Sequence, residues 1–273
     1  MALLPLLLTA CVLLYRHGVY DVEGRERLQI VELLPRLEDA TLVFVGESHD
    51  NPLHHQAQLE VIRQFHEKDI AIAIGLEMFG ASDQEVLDAW VSGGMDLHDF
   101  VASYYRNWDL PWKLYGDIFL YAREHGIPLI GLNVPREVVS KVARSGFASL
   151  SAEQLETLPG VSCNVDEDYR AFIQRSHAAH DQDAASFEWF CEAQMVWDTT
   201  MAHRLLEFVD QNPATRVVVI AGSGHAWKPG IPRQVDQRRD SITSRVILPE
   251  EKGRLHRLNV GVDDCDYLWL GLY

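Results

Sequence analysis

Basic residues are in short supply: 24 Lys and Arg face 40 Asp and Glu, leaving a net charge of -16. So acidic a chain repels phosphate backbones and anionic lipid, which argues against nucleic acid as a partner. Cysteine is also sparse. The four present, Cys11, Cys163, Cys191 and Cys265, show none of the paired spacings of a zinc–thiolate site. Repeats, low-complexity tracts and long linkers are missing, so nothing splits the chain into an array of modules. What is there is a chain of 273 residues, 47% hydrophobic, enough for one substantial core without a second domain.

The first residues differ from the rest. Met1-Ala2-Leu3-Leu4-Pro5-Leu6-Leu7-Leu8-Thr9-Ala10 is apolar and uncharged. It is shorter than the roughly 20 residues of a membrane-spanning helix and reads as the apolar region of a secretory signal. Leu8-Thr9-Ala10-Cys11 is similar to the bacterial lipobox, whose cysteine is lipidated. The expectation is a signal segment over residues 1–10 and a single domain over 11–273, anchored by lipid at Cys11. No Lys or Arg precedes the run, a departure consistent with a start inside a longer signal. Val12 follows the cysteine; a residue other than Asp there permits outer-membrane delivery, facing the periplasm. In that oxidising compartment a Cys163–Cys191 bridge is open to the chain, although the sequence does not establish it.

Four apolar, mostly β-branched runs read as strands buried on both faces: 41–45, 70–77, 127–133 and 216–222. Weaker strand patterns fall at 245–248 and 267–270. Helical stretches separate them, the first opened by Asn51 as cap and Pro52 in the first turn. The pattern predicts an α/β fold: a mostly parallel central sheet flanked by helices. A large helical insert, about 150–210, precedes the last core strands.

Ligands of open parallel sheets bind beyond the carboxyl ends of the strands. Four strands end there in polar residues. The first ends in Gly46-Glu47-Ser48-His49, the second in Glu77, the third in Asn133 with Arg136 behind it, and the fourth in Gly222-Ser223-Gly224-His225. Glu47, His49, Glu77, Arg136 and His225 are therefore the candidate catalytic set. His49, Glu77 and His225 could hold a divalent metal, with Glu47 as general base. Each has a plainer reading: a capped loop histidine, or a structural Glu77–Arg136 ion pair. His54 and His55 follow in the next helical turn, where either one is placed to face the same space.

Together these motifs resemble the ChaN-like haem-binding family, in a superfamily with the Tiki and TraB proteins and the erythromycin esterases. The resemblance rests on Gly46-Glu47-Ser48-His49-Asp50-Asn51 with His54, His55 and Gln58, on Glu77-Met78-Phe79, and on Trp108 to Tyr115. It continues in Gly131-Leu132-Asn133-Val134-Pro135-Arg136-Glu137, Ala193-Gln194-Met195-Val196-Trp197-Asp198 and the Gly222-to-His225 motif. No one motif is highly specific; their order and spacing are.

What the resemblance implies is a lipid-anchored envelope protein that binds haem for iron uptake or storage. It implies a homodimer with two haems face to face at the interface, each iron ligated by a tyrosine, and work alongside other haem-uptake components. Tyr169 is the candidate ligand here, with His177 and His180 one turn apart as further haem contacts and Arg170 or Arg175 for the propionates. Tyr104, Tyr105 and Tyr115 are rivals. The alternative is a metal-dependent hydrolase or protease built on the paired Gly-x-x-His motifs and Glu77. A structural lipoprotein with a vestigial pocket is a third reading.

Overall fold

A computed structural model describes residues 18–158, 160–161, 163–176, 184–251 and 255–272. The signal segment 1–10, Cys11, His177 and His180 lie outside the described residues. Eight strands form one sheet: β1 (Val19–Asp21), β2 (Glu26–Leu28), β3 (Leu42–Glu47), β4 (Ile72–Gly80), β5 (Leu129–Asn133), β6 (Arg216–Gly222), β7 (Ser244–Pro249) and β8 (Tyr267–Trp269). Their order is β2-β1-β8-β7-β3-β6-β4-β5. The six strands from β8 to β5 run parallel, and β1 pairs antiparallel with both β8 and β2. The short strands β1 and β2 were not foreseen: Glu26 and Arg27 are exposed on the edge strand β2, a charged edge that discourages further strand addition.

The longer helices are α1 (Pro52–Glu67), α2 (Gln84–Val91), α3 (Leu97–Asn107), α4 (Trp112–His125), α5 (Arg136–Ser145), α6 (Glu167–Ser176), α7 (Ala184–Gln211) and α8 (Ile231–Asp236). The sheet lies between two helical layers because alternate residues of each central strand enter different cores. Val43 and Val45 of β3 join a core with Phe65 of α1, Trp90 of α2, Phe100 of α3 and Phe119 of α4. Leu42 and Phe44 join a second core with Tyr169 and Phe172 of α6, Leu205 of α7 and Val235 of α8. A strand so placed has no polar face, which is why its sequence shows no alternation.

Local signals set the element ends. Asn51 accepts the Leu53 N–H at 2.9 Å and Pro52 opens α1 as expected. Gly126 ends α4 in the left-handed region, with φ 64°. No described helix is long and apolar enough to cross a membrane. Cys163 and Cys191 are free thiols, so the open possibility of a bridge is not realised. Burial raises both thiols to about 12.

Candidate functional site

β6 lies between β3 and β4, with Gly222 opposite Glu47 in the parallel register. The carboxyl ends of three strands therefore open side by side. Gly222 lets them share space: a Cβ there would fall 2.8 Å from His49 Cε1 and 3.6 Å from Glu77 Oε2. The imidazole of His49 thus lies across bare backbone at Gly222.

Glu47 anchors one half of the site. It is 2% exposed. Its Oε1 accepts the Tyr115 hydroxyl at 2.5 Å and meets His49 Nδ1 at 2.7 Å, and its Oε2 lies 2.5 Å from His55 Nδ1. His55 Nε2 donates to the His49 carbonyl at 3.1 Å. Burial by itself would raise the Glu47 carboxyl, but hydrogen bonds and charge from His49 and His55 outweigh it and hold the group at about 2. Burial likewise opposes charge on His49, yet Glu47 and Glu77 raise it to about 9. His54, by contrast, is lowered by burial. It accepts the Ser48 N–H at 2.8 Å and bonds the Leu272 carbonyl at 3.0 Å, tying the carboxyl-terminal residues to the first strand end.

The other half is built by the helical insert. His225 Nδ1 meets Oδ1 of Asp198 on α7 at 2.7 Å, and Asp198 Oδ2 accepts the Tyr169 hydroxyl of α6 at 2.6 Å. Glu77 sits between the halves. Its Oε2 accepts the Gly222 N–H at 2.6 Å, and its Oε1 lies 3.8 Å from His225 Nε2. Asn133 Nδ2 donates to the Glu77 carbonyl at 2.5 Å and Trp197 Nε1 donates to Asn133 Oδ1 at 2.9 Å, so the third strand end braces the second. Trp108 and Trp197 stand edge-on to His49 and His225. The result is two imidazoles, each oriented by a buried carboxylate through Nδ1, around Glu77. Such an arrangement can exchange protons, since a carboxylate on Nδ1 sets the tautomer and stabilises the imidazolium.

The structure brings Glu47, His49, Glu77 and His225 together, and adds His55. It does not bring Arg136, which is exposed and pairs with exposed Asp109 at 2.8 Å rather than with Glu77. The metal trio is not assembled either. Among the described residues, the set of three ligand-bearing groups with donor atoms within 4.8 Å of one another is Asp96, His98 and Asp99, all exposed and away from the strand ends. Tyr169 is not an open iron ligand: it is 0% exposed and its hydroxyl belongs to Asp198. Tyr104 and Tyr115 are buried as well, while Tyr105 is exposed and accepts the Trp112 N–H. Arg170 pairs with Glu188 at 2.9 Å. Asp198 was missed as a site residue. Its sequence signals are its place at the end of the Ala193-to-Asp198 motif and an acid standing alone among the apolar residues Met195-Val196-Trp197 and Met201-Ala202.

Fold and site together define a three-layer α/β protein with a cluster of histidines and carboxylates at the carboxyl ends of parallel strands. A family described as haem-binding uptake, Tiki superfamily, ChaN matches residues 33–235, and the chain belongs to that family. Among solved structures, that of cofacial haem binding to ChaN of Campylobacter jejuni is similar at 19% identity. It covers 93% of this chain and 96% of that one, with a TM-score of 0.73. An open-form erythromycin esterase EreC is similar at 16% identity over 85% and 76% of the two chains, TM-score 0.52. The type III effector HopBA1 is similar at 14% identity over 88% and 91%, TM-score 0.51. At these identities the likeness shows the fold. No curated protein matches the chain.

Proposed function

We propose that this protein binds haem as cargo for iron uptake or storage. The observation that carries the reading is membership of the haem-binding uptake family over residues 33–235. Cofacial haem binding is described for ChaN of Campylobacter jejuni, and a homodimer with haem at the interface is part of the proposal. So are a lipid anchor at Cys11, placement on the outer membrane facing the periplasm, and contact with other haem-uptake components.

The fold offers space of suitable chemistry on the insert side. A cleft of about 830 Å³ runs between α6, α8 and the start of β7. Phe172, Ile242 and Val246 give it apolar walls, Arg175, Lys228 and Arg233 bring cations to it, and Asp168, Asp236 and Asp263 bring carboxylates. Carboxylates steady those cations: Asp264 holds Arg175, Asp266 holds Lys228 and Asp166 holds Arg233. Apolar walls suit a flat macrocycle, and its two propionates would compete with these carboxylates for the cations. No tyrosine, histidine, cysteine or methionine is among the lining residues, so the cleft would supply walls and cations rather than the iron ligand. Haem, when bound, would supply the iron chemistry. His177 and His180, which follow α6 in sequence, would be further haem contacts.

The test is a hemin titration of residues 12–273. A Soret shift, sedimentation as a dimer, and weaker binding in Arg175→Ala and His180→Ala are expected. Absence of hemin binding would sink the reading, and unchanged binding in every variant would remove the cleft from it.

A second reading, an acid–base hydrolase, is favoured by the two carboxylate-backed histidines around Glu77. It predicts ester or peptide hydrolysis lost in both His49→Ala and His225→Ala, and no turnover of a broad substrate panel would dismiss it.

A further inference from the structure

Asp198 makes a connection that the strand ends alone do not explain. It lies on α7 and is 1% exposed, yet both its oxygens are engaged. His225 Nδ1 is 2.7 Å from Oδ1, and the Tyr169 hydroxyl donates to Oδ2 at 2.6 Å. Tyr169 comes from α6, and its ring packs in the insert-side core at 0% exposure. A histidine at a strand end is thus gripped by two helices of the insert.

A carboxylate can only accept hydrogen bonds. Its bond to His225 therefore needs the hydrogen on Nδ1, which leaves Nε2 for the pocket. Nε2 faces Glu77 at 3.8 Å, too far for a direct hydrogen bond and close enough for a charge to be felt. The groups facing His225 are Asp198 from α7, Glu77 from β4 and His49 beyond β3. Burial lowers His225, as does His49, but Glu77 and Asp198 outweigh them and the net direction is up.

We propose that Asp198 and Tyr169 are positioning residues for His225: the helical insert dictates which imidazole nitrogen faces the strand-end pocket. The insert is then a working part of that pocket rather than a separate module. Tyr169 acts in this through its hydroxyl, which with His225 favours the ionised form of Asp198 against the burial that raises its carboxyl. It is not free to ligate iron. The inference stands on the hydrogen-bond geometry and does not depend on the haem reading.

The test uses the full chain with nitrogen-15-labelled histidine. In the wild type, neutral His225 is expected in the Nδ1–H form. Asp198→Asn should lower the His225 titration midpoint by about one unit or more, the usual effect of removing an adjacent opposite charge. Tyr169→Phe removes one hydroxyl without changing the ring. It should lower the midpoint by less, because Asp198 takes up a proton more readily without that donor. An Nε2–H tautomer in the wild type, or an unmoved midpoint in both variants, would overturn the proposal. If Asp198→Asn does not fold, the wild-type tautomer and Tyr169→Phe still decide. Hemin provides the second arm. Tyr169→Phe should keep the wild-type haem spectrum, and loss of that spectrum would make Tyr169 the iron ligand instead. Should the wild type bind no hemin, the haem reading alone fails, and the histidine readout still judges this one.

Discussion

His49 Nδ1 lies 2.7 Å from Oε1 of Glu47, two residues earlier on the same strand end, and the same oxygen accepts the Tyr115 hydroxyl from α4. The bond turns the imidazole across Gly222 toward Glu77, so a local Glu-x-His sequence becomes one wall of a pocket shared with β4 and β6.

Glu47→Gln should destabilise the fold strongly. The carboxylate is buried and compensates two histidines, and removing one partner of a buried charged set costs about 3–5 kcal/mol. Urea unfolding measures this. A loss below about 1 kcal/mol would show that the histidines simply discharge when their partner is gone.

Stability should depend on pH on both sides of the site. Glu47 is lowered from its ordinary 4.5 to about 2, so its contribution is present above about 4.5 and is lost as pH falls through about 2. His49 is raised from 6.5 to about 9, so its contribution is full below about 6.5 and is lost as pH rises through about 9. The side chain of His49 is 39% exposed, so solvent screens the alkaline arm and makes it the weaker one. Thermal melts from pH 3 to 10 should peak between about 4.5 and 6.5 if these two groups govern the profile. A profile in which Glu47→Gln and His49→Ala change neither arm would remove them from that role.

Gly222→Ala should disturb His49 more than the sheet. The new Cβ would meet the imidazole at 2.8 Å, and the ring can swing toward solvent while β6 keeps its pairing. Freed from Glu47, His49 should titrate back toward 6.5, which proton NMR of its ring hydrogens reads directly. An unchanged midpoint with intact structure would mean the ring does not rest across Gly222.

Arg136→Ala should be silent. Its guanidinium and the Asp109 carboxylate are both largely exposed, and such pairs contribute little in water. Denaturation midpoints and hemin affinity are expected to match the wild type. Weaker hemin binding would bring Arg136 back toward the site.

Much of this protein was legible in the chain. Uninterrupted apolar runs such as Val43-Phe44-Val45 marked buried parallel strands, because a strand covered on both faces has no polar side to show. The polar residues closing those runs marked the pocket, since strand ends are where backbone stops pairing and side chains can turn outward. Glu47, His49, Glu77 and His225 were visible for that reason. Arg136 was misjudged on sequence nearness to Asn133. One residue into a new helix the chain has already turned, and the side chain points to Asp109 and solvent.

What tertiary structure alone decided is the partnership across the insert. Asp198 precedes His225 by 27 residues and Tyr169 precedes Asp198 by 29, distances at which a sequence carries no information on contact. Only the seating of α6 and α7 on the sheet brings the three together. Sequence determined which groups could exchange protons, because side-chain chemistry is local. Packing decided which of them face one another, because hydrogen bonds are made over about 3 Å of space and not along the chain.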